Sequence, residues 1–343
     1  MSDMASKRWQ RFIAASLLTA ALFYLTINRQ ILRRLQNEED IKESTLFNLF
    51  SKTYGRERII EHSVCLMDGT CVDIRERLVH DGRKYLVARE ITAGMLRTST
   101  MFLKTPKKLT ASIMDTTKWE VDSGAITFES YVTTMIEEIF ISGAAQMSPY
   151  NSAHILMLGL GGGYINSYLH HKFPNMDITV VELDPQMLEI SKKWFGLKLD
   201  QRQRVFLMDG VHFVRNAVTE GRKYDAILVD ACTSDTNAWI ICPANDFVVP
   251  EVVKKFAELL TDKGSLIVNV LSIRHKKVIG TMVQNIFNQA FKYCILKQAH
   301  SRSNLVITCA QHPLPKGLES KYEKFAGYGK YGAKVSRMIG ISS

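Results

Sequence analysis

The sequence predicts an α/β protein: a doubly wound, Rossmann-like sheet of seven strands, preceded by a small antiparallel β domain and an N-terminal apolar helix. Three observations lead there. From residue 154 to 310, short apolar runs of strand length alternate with amphipathic segments of helix length. The first strand meets the first helix in a glycine-rich turn, where backbone can approach a ligand because no Cβ intervenes. Upstream lie short β-like runs separated by Asp-Gly pairs, a hairpin signal.

In chain order, Phe12–Ile27 is apolar apart from Ser16, Thr19 and Thr26 and carries no charge. It is slightly shorter than the ~20 residues that usually span a bilayer. Arg8 and Arg11 precede it, and Arg29, Arg33 and Arg34 follow. An uncleaved membrane anchor fits best, ahead of a cleaved signal or a mitochondrial presequence. Residues 1–40 are therefore expected to be an anchor or targeting segment. Residues 41–150 form the β-rich domain, with runs at Arg58–Met67, Thr70–Arg75, Lys84–Ile91, Thr98–Leu103 and Leu109–Met114. No helix-length pattern shows there until Phe128–Phe140, whose apolar residues keep helical spacing.

The next stretch, His154–Pro185, reads as strand, glycine turn, helix and strand. Pro174 stops the helix. Glu182 and Asp184 stand at the carboxyl end of the second strand, where open α/β sheets bind ligands. Gly159, Gly161 and Gly163 make a G-x-G-x-G turn. A dinucleotide fingerprint would need glycine at Tyr164, so that cofactor class does not fit. Strands at Arg204–Met208, Tyr224–Val229, Ser265–Leu271, Tyr293–Lys297 and Asn304–Cys309 follow, with helices at Gln186–Trp194, Val211–Thr219, Phe247–Leu260 and Val278–Ala290. Asp209 and Asp230 end the third and fourth strands at the same height as Glu182, each able either to bind ligand or to cap a helix. The segment from Asp230 to Asp246 lacks periodicity, and unstructured loops of that length are usually functional. Its Asp235, Asn237 and Trp239 would place a carboxylate and an aromatic wall beside an incoming amine.

Net charge of +10 invites a nucleic-acid reading. Its distribution opposes one, because residues 1–34 carry +5 and residues 311–343 carry +4. The body is nearly neutral, so no basic groove and no specific nucleic-acid partner are expected. Residues 311–343 read as a basic tail. The six cysteines form no C-x-x-C and no zinc spacing, so free thiols, a reducing compartment and no metal are expected.

The glycine turn and the acid 23 positions after Gly159 resemble the cofactor motif of class I S-adenosylmethionine-dependent methyltransferases. With VVELDPQMLEISKKWFG, LVD, CPANDFV and LLTDKGSLIVNVL, the stretch Leu96–Ala310 is similar to the C-terminal half of the methyltransferase-like protein 13 family. These are elongation factor 1-alpha lysine and N-terminal methyltransferases, on the spermidine-synthase-like branch of the class. The resemblance implies a class I methyltransferase sheet over residues 151–310 and S-adenosylmethionine as cofactor. Gly159, Gly161 and Gly163 would pass under its methionine part. Glu182 would take the ribose hydroxyls, Asp209 the adenine amino group, and Gly210 would let backbone approach the ring. Asp230 would lie near the sulfonium and the acceptor. Asp230 and Asp235 would orient a protein amine, and Glu129 would face the same pocket.

Two alternatives stand beside that reading. One is a spermidine-synthase-like aminopropyltransferase, which needs paired carboxylates for a dicationic amine. Gly162 stands where its glycine loop carries Asp, and the second acid of its D-S-S-D-P motif is displaced here to Asp235. The other is a membrane-tethered module that binds cofactor without catalysis. Expected partners are a protein substrate, a membrane through residues 12–27, and a second copy of the chain. The body is expected to face the cytoplasm.

Overall fold

The computed structural model describes residues 24–29, 31, 44–80, 84–94, 96–125, 130–235 and 237–327. The chain divides into two compact units. One comprises Met1–Arg58, Arg77–Val87 and Thr105–Lys118; the other Ile59–Glu76, Ala88–Lys104 and Trp119–Ser343.

In the first unit, residues 44–54 form a helix (α1) that buries Leu46 and Phe50, one turn apart. The sequence pattern had shown no helix here. The Tyr54 hydroxyl donates to the Met114 carbonyl at 2.7 Å, and the Arg58 guanidinium lies 3.9 Å from the Tyr54 ring centroid. The expected strand at Leu109–Met114 is instead a 3₁₀ turn, Ala111–Ile113. Thr110 and Ser112 hydroxyls bond each other there, the local side-chain pairing that competes with a ladder.

Strands β1 (Glu57–Cys65), β2 (Cys71–His80), β3 (Tyr85–Ala93) and β4 (Leu96–Phe102) follow one another in a four-stranded antiparallel sheet. Most of Phe12–Ile27 lies outside the described residues. Residues 24–29 are helical, and among the described residues no helix is long and apolar enough to cross a membrane.

The second unit holds the seven-stranded sheet. Its strands are β5 (His154–Leu158), β6 (Asp177–Glu182), β7 (Gln203–Leu207), β8 (Tyr224–Val229), β9 (Leu260–Leu271), β10 (Tyr293–Gln298) and β11 (Asn304–Ala310). Their order is β10-β11-β9-β8-β5-β6-β7. Neighbours from β7 to β9 run parallel, and β11 lies antiparallel between β9 and β10. The seven strands and the reversed last one match the expectation. The strand order reverses at β5, so the crevice opens at its carboxyl end.

Helices α2 (Tyr131–Ile141), α3 (Tyr164–Lys172) and α4 (Pro185–Trp194) bury Ile136, Ile139, Ile165, Leu169 and Leu188 on one face of the sheet. Helices α5 (Gly210–Thr219), α6 (Pro250–Leu259) and α7 (Lys276–Phe287) bury Phe213, Val214, Phe256 and Phe287 on the other. Strand β9 starts directly after α6, five residues before the expected strand start at Ser265.

The basic tail contains one more helix, α8 (Glu319–Phe325), with Tyr322 buried against Phe140 at a ring separation of 5.5 Å. Aromatic burial thus docks a helix within a stretch whose charge reads as a basic tail.

The cysteines overturn the expectation of free thiols: Cys65–Cys71, Cys232–Cys242 and Cys294–Cys309 are disulfide-bonded. Each pair faces across a hairpin or a loop neck, and Cys294 and Cys309 are register partners of β10 and β11. Spacing alone hides that proximity.

Candidate active site

The glycine loop follows from local backbone demands. Gly159, Gly161 and Gly163 have φ of +96°, +52° and +76°, a region side-chain-bearing residues rarely adopt. At Gly159 space is also decisive, because a Cβ would stand 2.7 Å from the backbone oxygen of Asp230. The loop and the end of β8 therefore touch. Gly163 then caps the N-terminus of α3.

Glu182, at the end of β6, holds this loop. One carboxylate oxygen accepts from Leu160 N at 2.9 Å, the other from Asp184 N at 2.8 Å. Burial raises its pKa, while these backbone donors oppose the rise. Each oxygen keeps a further lone pair, so a ribose diol can still be accepted. Asp209 is exposed and caps α5 by accepting from His212 N at 2.7 Å. Gly210 is also required by packing: a Cβ there would stand 2.7 Å from the Phe247 ring.

Asp230 is the most perturbed acid of the crevice. Its two oxygens accept from Asn269 Nδ2 at 2.8 Å and from the Tyr131 hydroxyl at 3.2 Å. Burial raises its pKa to about 7 against the pull of both donors. Burial, then the facing carboxylate, pushes the Tyr131 phenol well above its usual value. Asn269 is held in turn by Asn304 Nδ2 at 2.8 Å. Tyr131 and Asn269 were missed in the sequence, although a polar Asn within SLIVNVL of β9 is a legible signal of a buried partner. Asp235, by contrast, is exposed and accepts from Asn237 N at 2.9 Å, bracing its own turn. Glu129 lies outside the described residues.

Three hydrogen bonds enclose the crevice. Ser99 of β4 accepts from Gly162 N at 2.9 Å. The turn joining β1 to β2 arches over the carboxyl ends of the central strands: Met67 N donates to Asp184 at 2.6 Å, and Ser234 donates to Asp68. The Ser234 bond, then the Thr70 backbone, lowers the Asp68 pKa. The loop after Asp230 is closed at its neck by Cys232–Cys242 and by Thr233 N bonding Ile241 O at 2.9 Å. Among the described residues no cluster of His, Cys, Asp or Glu is arranged to hold a metal ion.

A glycine cradle at the switch point, an acid on the next strand and a half-buried acid beside the cradle define a class I methyltransferase-like α/β domain. Within that class, residues 134–303 match the spermine/spermidine synthase domain. The chain is 31% identical over 165 residues to the eEF1A lysine and N-terminal methyltransferase homolog of Drosophila melanogaster, covering 48% of this chain and 24% of the relative. It thus spans about a quarter of that relative's length. Human methyltransferase-like protein 13, solved in complex with SAH, superposes with a TM-score of 0.51 at 24% identity, over 58% of this chain and 89% of that one. A probable spermidine synthase from Corynebacterium glutamicum gives 0.53 at 15% identity, over 80% and 88%. The resemblance to the methyltransferase-like protein 13 family therefore holds in sequence and in fold.

Proposed function

We propose that the chain is an S-adenosylmethionine-dependent methyltransferase acting on a protein amine, an N-terminus or a lysine of an elongation factor 1-alpha-like protein. The observation that carries this reading is the position of Asp230. Its backbone lies against Gly159, and burial pushes its carboxyl up to about 7. The names of the relatives and the SAH in the human structure support the same cofactor.

S-adenosylmethionine supplies a methyl group on a sulfonium, which is already an activated leaving group. The chain's own residues do the rest. Glu182 and the glycine loop bind and orient; Tyr131 and Asn269 fix the direction of the Asp230 carboxyl. Asp230 aligns the amine and takes up its proton. An α-amine, with a pKa near 7.7–8.0, is partly neutral at cell pH, so a weak base suffices. Water exclusion by the β1–β2 turn and the loop after Asp230 strengthens these polar contacts.

Incubating the full chain and a cell lysate with methyl-labelled cofactor tests the reading. A labelled protein band that disappears in Asp230→Asn is expected. Calorimetry with Glu182→Ala should show cofactor binding weakened by about tenfold or more. No cofactor binding to the intact chain would sink the proposal. Aminopropyl transfer is the second reading, favoured by the matched synthase domain; label recovered in polyamines from decarboxylated cofactor would install it. No transfer despite binding would leave a non-catalytic module.

Phe12–Ile27 is proposed as a membrane anchor with the body facing the cytoplasm. Release of the full chain by carbonate washing would exclude it. A homodimer is also proposed, and sedimentation at the monomer mass across micromolar concentrations would exclude that.

A further inference from the structure

The loop after Asp230 carries a large exposed apolar side chain that the proposed chemistry does not use. Trp239 is 71% exposed. Its ring stacks on His275, with centroids 6.0 Å apart and planes 17° from parallel. His275 caps α7 with φ of +58°, one of two non-glycine residues with positive φ among those described. Strain of this kind persists only where surroundings hold it, and it concentrates at functional surfaces. The two segments are tied together, since Ile241 N donates to Leu271 O and Leu271 N to Cys242 O, both at 2.9 Å.

More apolar surface continues from the Trp239–His275 stack. Ile273 is 62% exposed, Val278 67% and Met282 43%. His275, Val278 and Met282 are spaced three and four apart, on one face of α7. The opposite face buries Ile279, Val283 and Phe287. Around this strip runs Arg274-His275-Lys276-Lys277. Lys276 is held by Gln298 and the Arg302 carbonyl, whereas Arg274 and Lys277 are exposed and form no ion pair with any described residue. Asp235 is the acid on the neighbouring loop tip, and it braces its own turn. A solvated apolar strip rimmed by cations, joined to the proton acceptor by the loop that carries Trp239, suits an occupant that is apolar and acidic.

We propose that Trp239, Ile273, Val278 and Met282, with Arg274 and Lys277, form the docking surface for the acceptor protein, which engages it through an acidic, apolar segment close to the methylated amine. This rests on the proposed methyl transfer, but the surface can be tested without turnover. The probe is a fluorescein-labelled peptide alternating Glu and Leu, titrated with the full chain and followed by anisotropy. Controls are the same peptide with Lys for Glu, and phosphatidylserine–phosphatidylcholine vesicles. SAH affinity is measured on every variant to report folding.

The Glu–Leu peptide should bind, with affinity falling as salt rises. Trp239→Ala combined with Ile273→Ser, and Lys277→Glu alone, should each weaken it by about tenfold with SAH affinity unchanged. Equal binding of the Lys peptide, no binding of either peptide, or binding untouched by both variants would overturn the proposal. Vesicle binding that these variants abolish, without peptide binding, would make lipid the occupant and also overturn it. Loss of SAH binding by the unmodified chain with peptide binding intact would sink the methyltransferase reading and leave the surface standing.

Discussion

Burial raises the Asp230 carboxyl to about 7, while Asn269 and Tyr131 hold it from rising further. Wild-type turnover should therefore climb through about pH 7 to a plateau, as the carboxylate form fills. Asp230→Asn should lose roughly 10²–10³ in single-turnover rate and lose that inflection. Removing a donor that favours the charged form moves the midpoint upward, so Asn269→Ala and Tyr131→Phe should shift the rate profile to higher pH. An unmoved midpoint in both would show that Asp230 is not the titrating group. Linkage gives an independent readout. A raised folded pKa contributes stability that is full below the usual carboxylate range and is lost as pH rises through about 7. The melting temperature of Asp230→Asn relative to wild type should accordingly increase from pH 5 to pH 8. At Gly159, alanine meets both positive φ and the Asp230 backbone, and a loss of at least about 1–3 kcal/mol in denaturant unfolding is expected.

The β1–β2 turn is one element whose role follows from its two partners. It is tied to Asp184 on one side and to Ser234 on the other. Breaking one tie should loosen the cover without touching the groups that bind or react. Asp68→Ala is therefore expected to speed cofactor dissociation several-fold in stopped-flow displacement. Turnover at saturating cofactor should change little. An unchanged off-rate would remove the cover from the account. Helix α8 poses a different question, since its stretch reads as a basic tail. Tyr322 is 3% exposed and packs among Phe140 and Phe325. Tyr322→Ala should cost about 3–5 kcal/mol, the usual range for emptying a buried aromatic site. A melting curve identical to wild type would mean that the helix is not docked.

At the scale of the molecule, three disulfides change what the cysteines say. They enclose short loops, with partners 6, 10 and 15 residues apart, and bridges of this size contribute about 2–4 kcal/mol each by restricting the unfolded chain. Thiol titration of the denatured, unreduced protein should find no free thiol. Reduction should lower the melting temperature by at least about 5 °C. Such bonds persist mainly in oxidising compartments, so the cysteines no longer argue for a cytoplasmic body.

The sequence by itself determined the sheet, its reversed last strand, the glycine cradle and the acids Glu182, Asp209 and Asp230. Each of these is a local property: hydrophobic period, strand length, a turn that only glycine can make, an acid at a strand's end. Gly210 shows the limit, for its packing against Phe247, 37 positions away, is not legible in the sequence. Tertiary structure alone decided the partners. Tyr131 and Asn269 meet Asp230 from 99 and 39 residues away. Asp235 braces its own turn through Asn237 N, and Cys294 meets Cys309 only through strand register. Period and propensity act over a few residues, whereas these contacts are set by which strands and helices the fold makes neighbours.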